Sequence, residues 1–165
     1  DIELFCNINT PQQLCIYREN WKPAAPISNY KTSNALIYTL SMYFSLANQC
    51  EQSVILNQDG LIAETSYCNI FVIKNKKIST PPLHQGCVNG AFRMVLIDLL
   101  NQKNGILSNY IFSEEPIKVE DLMEADEIFM TSAVRGIVLC KSIDKISKPN
   151  LQTTDLALKL KKLLY

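Results

Sequence analysis

The chain has 165 residues, 47% of them apolar, with sixteen basic side chains balanced against sixteen acidic ones. A chain of this size removes about 68–70% of its unfolded surface from water around one core and is too short for two domains. Balanced charge, with no basic stripe interleaved with aromatics, argues against a nucleic-acid partner. The lack of a long apolar span argues against a membrane one.

Six cysteines, Cys6, Cys15, Cys50, Cys68, Cys87 and Cys140, are scattered without a Cys-x-x-Cys pair, and His84 is the single histidine. A zinc centre lacks both the spacing and the ligands, so no metal is expected. Most of these cysteines sit in apolar runs, where a reduced thiol packs as a small hydrophobe. With no leader segment in view, the expected setting is reducing and cytoplasmic.

In chain order, residues 14–17 read as a strand and 21–26 as an extended connector, because Pro23 and Pro26 remove amide donors and push their predecessors out of helical geometry. Lys31 follows that loop. Over 33–50, Leu36, Ile37, Leu40, Tyr43, Phe44 and Ala47 recur at three and four, the spacing of one helix face, with Ser33 or Asn34 available as a cap. β-rich runs at 53–57, 61–64, 69–74 and 77–80 are separated by Asp59-Gly60 and Asn75-Lys76, residues that tight turns prefer, and predict an antiparallel meander. Lys74, Lys76 and Lys77 decorate the second turn.

Asn89-Gly90 then opens a second helix through Phe92, Val95, Leu96, Leu99 and Leu100, ended near Asn104-Gly105 by a left-handed glycine. A strand at 111–112, a short acidic helix at 119–125, strands at 127–131 and 136–140 and a final helix at 156–164, bearing Lys161 and Lys162, complete the chain. The sum is one α+β domain over residues 1–165, with a mostly antiparallel, barrel-like sheet and helices packed against it.

Lys31 before a helix, Glu64 in Ala-Glu-Thr-Ser-Tyr-Cys-Asn-Ile-Phe and the turn from Gln85 to Arg93 supply what pyridoxal phosphate needs. They offer an amine for the aldehyde, a carboxylate for the ring nitrogen and backbone amides for the phosphate. Each has a plainer reading alone: an exposed lysine, an edge-strand acid, an ordinary strand-to-helix turn.

Their order and spacing decide between these readings. Lys31-Thr32-Ser33-Asn34, Glu64 with Asn69 five residues on, Thr80-Pro81, Val88-Asn89-Gly90 with Arg93, and Thr131-Ser132 resemble the large domain of the fold type IV pyridoxal-phosphate enzymes, the class IV aminotransferases. The resemblance runs from about Leu14 to Ile143 and, in Lys-Thr-x-Asn and Thr-Pro-x-Leu-x-Gln-x-x-Val-Asn-Gly-x-x-Arg, looks most like the aminodeoxychorismate lyase branch. The Lys-x-Gly-Gly-Asn arrangement usual in the branched-chain enzymes is absent.

The resemblance implies that Lys31 is the catalytic residue, holding the cofactor as an internal Schiff base and then shuttling a proton. It implies that Glu64 keeps the ring nitrogen protonated. Asn69, Val88, Asn89, Gly90, Ala91, Phe92, Arg93, Thr131 and Ser132 would form the rest of the cofactor site. Gly90 is expected to let the chain turn sharply so that the Ala91 and Phe92 amides point at phosphate, while Arg93 could orient Glu64 or steady the turn; His84 and Gln85 receive no chemistry. The implied activity is elimination of pyruvate from 4-amino-4-deoxychorismate to give 4-aminobenzoate for folate biosynthesis, by a homodimer acting on a small amino substrate. A branched-chain or D-amino-acid transaminase, or a non-catalytic dimerising remnant, are the alternatives. These enzymes normally carry a smaller N-terminal domain that closes the pocket, and it is expected to be missing from this chain.

Overall fold

The computed structural model describes residues 6–102, 105 and 107–164, and among these nine strands form one mixed sheet. The elements in chain order are β1 (Cys6–Lys22), α1 (Leu36–Ala47), β2 (Gln52–Asn57), β3 (Ile62–Thr65), β4 (Asn69–Lys74), β5 (Lys77–Thr80), α2 (Ala91–Leu100), β6 (Ile111–Glu114), α3 (Val119–Glu124), β7 (Glu127–Ser132), β8 (Gly136–Ile143), β9 (Ile146–Ser147) and α4 (Leu151–Leu164). Across the sheet the order is β3-β2-β1-β8-β7-β4-β5-β6, with β9 against β8. The sheet curls into a half-barrel, and the expected α+β class holds.

β4, β7 and β8 read as unbroken apolar runs because both their faces are covered. Alternate side chains go to opposite sides. Ile70, Val72, Ile128, Met130, Val138 and Cys140 join Leu14, Ile16 and Leu122 of α3 in one core. Phe71, Ile73, Phe129, Ile137 and Leu139 join Phe92 and Leu96 of α2 and Leu156 of α4 in the other. Phe71 and Phe129 are register partners and stack with ring centroids 5.0 Å apart.

The four runs from 53 to 80 do not form a continuous meander. They make two antiparallel hairpins, β2–β3 and β4–β5, which the sheet order separates by β1, β8 and β7. The turns themselves are as expected: Gly60 has φ 75°, and Asn75 and Lys76 have φ 51° and 63°, the mirror-image turn that suits strand twist. Pairing is parallel for β1 with β2, β1 with β8 and β5 with β6, and antiparallel elsewhere.

Helix α1 reverses the expected polarity. Ser41 and Ser45 are fully buried, whereas Leu36, Leu40, Tyr43 and Leu46 are exposed. Hydroxyl bonds explain the inward serines: Ser41 Oγ donates to Ser66 Oγ at 2.9 Å, Ser45 Oγ to the Ser41 carbonyl at 2.8 Å, and Ser53 Oγ of β2 to that same carbonyl at 2.9 Å. Ala35 occupies the cap position with no side-chain cap bond, so neither Ser33 nor Asn34 serves as cap.

Helix α2 stops at Leu100 with Asn101 as its right-handed cap, so it ends before Asn104-Gly105; Asn104 lies outside the described residues. Helix α4 starts at Leu151, earlier than expected. Its first amides are satisfied from a distance, Gln152 N and Thr153 N donating to the Glu127 carboxylate of β7 at 2.8 and 2.7 Å. The Lys161 and Lys162 side chains and that of Cys6 are likewise outside the described residues. Cys15, Cys50, Cys68, Cys87 and Cys140 are free thiols. Among the described residues no helix is long and apolar enough to cross a membrane.

Candidate active site

Glu64 ends up inside the protein, 3% exposed on β3, rather than on a solvated strand edge. A buried carboxylate needs donors, and three converge on it. Its Oε1 accepts from Lys22 Nζ at 2.5 Å and from the Tyr38 hydroxyl at 2.7 Å; its Oε2 accepts from the Val88 amide at 3.0 Å. Burial, and next the adjoining Glu64 carboxylate, push the Tyr38 phenol well above its ordinary range, so it remains a donor. A carboxylate offers about four acceptor directions, and the three donors leave one on the Oε2 side.

Val88 joins this acid to the turn before α2. Its amide bonds Glu64, while its carbonyl accepts from Asn69 Nδ2 at 2.7 Å. Asn69 opens β4 and is the register partner of Thr131 on β7. Thr131 is 1% exposed, and its hydroxyl oxygen has no hydrogen-bond partner.

Gly90 is the N-cap of α2 with φ −69° and ψ 140°, extended geometry open to any residue, so it is not glycine for the sake of a sharp turn. Space is the reason: a Cβ there would collide with Asn69 Oδ1. Gly90, having no side chain, makes no side-chain cap bond at the helix start. The orphaned buried hydroxyl of Thr131, the helix start at Ala91 and a turn where a Cβ would have to displace Asn69 fit a phosphate, and the buried acid beside them fits a ring nitrogen. The residues present therefore suit pyridoxal phosphate.

The remaining expected site residues are placed as follows. Asn89 and Ala91 are exposed at the turn, Phe92 packs inward and Ser132 is half-buried. Arg93 is 3% exposed and donates to the Pro81 carbonyl at 3.0 Å and to Glu114 at 2.5 Å, so it steadies the turn and does not orient Glu64. Lys31 is exposed, on the loop before α1. Burial pushes the Cys68 thiol up to about 11, while Gln52, Arg135, Ser132 and Lys31 pull it down. Among the described residues, no hydrogen bond or ion pair ties Lys31 to Glu64 or to the turn before α2.

Three participants are not evident in the sequence. Lys22 and Tyr38 both bond Glu64, yet one reads as a connector lysine and the other as a helix aromatic. Asn29 clamps the turn, donating to the Leu83 and Cys87 carbonyls at 2.7 and 2.8 Å and accepting from the Asn89 amide at 2.9 Å. Asn29 alone lies in the polar stretch between Pro26 and α1; Lys22 precedes both prolines and Tyr38 lies within the helix, so neither carries a local signal. A cleft of about 330 Å³ opens beside Lys22 and Tyr38, lined also by Trp21, Thr32 and Asn34.

The model of the amino-transferase class IV family matches residues 6–143. A Methanocaldococcus jannaschii protein named as a branched-chain-amino-acid aminotransferase is 34% identical over 111 residues, 67% of this chain and 37% of that protein. The D-alanine aminotransferase of Bacillus licheniformis is 31% identical, covering 66% of this chain and 37% of its own. The aminodeoxychorismate lyase of Vibrio harveyi is 24% identical, covering 67% and 39%.

Two solved structures share the fold. One from Legionella pneumophila, named for 4-amino-4-deoxychorismate lyase, superposes with a TM-score of 0.84 at 23% identity, covering 93% of this chain and 56% of that one. An aminotransferase from Brucella abortus bound to pyridoxal phosphate gives 0.83 at 22%, covering 94% and 54%. The chain thus spans well under half the length of these curated relatives and about half that of the solved chains. By its family match and its identity to these relatives, the chain belongs to the class IV aminotransferases.

Proposed function

We propose that this chain is the cofactor-binding large domain of a pyridoxal-phosphate enzyme that eliminates pyruvate from 4-amino-4-deoxychorismate, leaving 4-aminobenzoate. The observation that carries the cofactor reading is the buried Glu64 carboxylate, tied through Val88 to the turn that opens α2. The lyase outcome rests on Lys31-Thr32-Ser33-Asn34 and the motif running from Thr80 to Arg93.

When bound, pyridoxal phosphate supplies an electron sink for a carbanion next to the substrate nitrogen. Lys31 supplies the amine that holds the aldehyde end and then moves the substrate proton. Glu64 holds the proton on the ring nitrogen through its free Oε2 direction. The Ala91 and Phe92 amides, with the Thr131 and Ser132 hydroxyls, hold the phosphate at the positive end of the α2 dipole. Asn69 fixes the Val88-Asn89-Gly90 backbone that aims those amides.

A transaminase acting on branched-chain or D-amino acids is the second reading, favoured by the 34% and 31% identities to relatives named for those activities. It uses the same residues and differs in where the proton is returned. The assay that separates them is run on the full-length protein: 4-aminobenzoate release from aminodeoxychorismate, and in parallel keto-acid formation from a panel of amino acids. Release of 4-aminobenzoate without keto acid is expected. Keto-acid formation alone would replace the lyase reading with the transaminase one, and neither product from cofactor-loaded protein would favour a remnant.

The exposed apolar row Leu36, Leu40, Tyr43 and Leu46 supports a further contact surface, consistent with the homodimer that the family resemblance implies. Sedimentation of the full-length protein at micromolar concentration checks it. The free thiols support a reducing, cytoplasmic setting.

A further inference from the structure

Lys22 occupies the last position of β1, is 4% exposed, and directs its ammonium at two acceptors, the Ser28 carbonyl at 2.9 Å and Glu64 Oε1 at 2.5 Å. The Tyr38 ring centroid lies 5.3 Å from the same nitrogen, and its hydroxyl bonds the same carboxylate oxygen. Oε1 is therefore taken by two donors, and the unused acceptor direction belongs to Oε2. Buried ion pairs are often matched or bettered by apolar residues of similar volume, so fold stability by itself is a weak reason for a lysine here.

We propose that Lys22 is a positioning residue for Glu64: it anchors Oε1 so that Oε2 faces the cofactor ring, and its charge offsets part of the carboxylate's, setting how firmly the ring nitrogen holds its proton. This rests on the reading of Glu64 as the ring's acid. The titratable groups that face Glu64 are Lys22 from β1, Tyr38 from α1 and Cys87 from the turn before α2. Burial pushes the Cys87 thiol up to about 11, so it stays neutral, and Lys22 is the one cation of the three. The ring nitrogen and the aldehyde carbon lie at opposite ends of the pyridine. A lysine held on the acid that serves the nitrogen is not placed to bond the aldehyde, which leaves that task to Lys31.

The test uses full-length protein loaded with pyridoxal phosphate carrying nitrogen-15 in the ring, and follows the nitrogen shift against pH. Removing a neighbouring positive charge in Lys22→Met should raise the pH at which the ring nitrogen loses its proton by about one unit or more, a tenfold change. Lys22→Arg, which keeps the charge, should titrate like the parent. A Lys22→Met protein with the parental midpoint overturns the proposal. Glu64→Gln separates the two failures: if it leaves the ring nitrogen unchanged, the reading of Glu64 as ring acid falls, whereas a shift with Glu64→Gln and none with Lys22→Met removes only the role of Lys22.

Should Lys22→Met not fold, Lys22→Gln keeps a donor and loses only the charge, and is read the same way. If neither neutral variant folds but the double variant Lys22→Met with Glu64→Gln does, its ring-nitrogen midpoint is compared with that of Glu64→Gln: a rise of about one unit upholds the counter-charge role, and an equal midpoint overturns it. If the double variant also fails, Lys22 is needed for packing regardless of Glu64, and the proposal is overturned.

Discussion

Asn69 donates its side-chain amide to the Val88 carbonyl at 2.7 Å, and its Oδ1 occupies the space that a Cβ on Gly90 would need. The glycine is thus required by the close approach of a side chain from β4, since its own backbone geometry is ordinary. Gly90→Val should displace Asn69, release Val88 and misaim the first amides of α2. We expect cofactor affinity to fall at least about tenfold, about 1.4 kcal/mol, measured by equilibrium titration of folded protein. Parental affinity in that variant would count against the phosphate cradle.

Lys31 should be the residue that carries the cofactor, although it is exposed here while Lys22 is buried on Glu64. Borohydride treatment of loaded full-length protein, followed by peptide mapping, should place the reduced adduct on Lys31. An adduct on Lys22 would reverse the assignment of the two lysines.

Glu64→Gln keeps the shape and removes the charge. Turnover should drop by orders of magnitude, because a charge that favours the protonated ring acts chiefly on the carbanion-like transition state. It also strips the partner from a buried ammonium, for which a stability loss of about 3–5 kcal/mol is expected. Urea unfolding and steady-state rates on the same preparation check both effects. Near-normal turnover would show that the ring nitrogen finds its acid elsewhere.

Glu115 gives the acid limb of the stability profile. Burial works to raise its pKa, but hydrogen bonds from Lys77 at 2.6 Å and Ser79 at 2.6 Å outweigh it and hold the group below its ordinary value. A carboxyl depressed in the folded state contributes stability above its unfolded pKa of about 4.3, and that contribution is lost as pH falls through the folded value. Thermal midpoints measured across this range should decline less steeply in Lys77→Met than in the parent. An unchanged slope would mean that the pair, being part-exposed, is fully screened.

Local pattern was sufficient where the determinants are local. The hairpin turns at Gly60 and at Asn75-Lys76, the β-rich apolar runs of β4 and β7 and the motif from Val88 to Arg93 were all legible in the sequence, because turn chemistry and β-propensity are properties of neighbouring residues. Glu64, Asn69, Gly90 and Thr131 could be named from their order alone. What that order could not supply was the reason for each: Gly90 answers to Asn69, and Asn69 faces Thr131 through a pairing between β4 and β7 that no local signal encodes.

Tertiary structure decided the rest. Helix α1 turned its serines inward because hydroxyls on Ser53 and Ser66 meet them, and α4 began early because Glu127 of β7 caps it, contacts made across the fold. Lys22 shows the same limit most plainly. In sequence it is one lysine beside a proline, and it becomes a partner of Glu64 only because β1 pairs in parallel with β2, whose hairpin partner β3 carries that acid, bringing residues forty-two positions apart into a single buried ion pair.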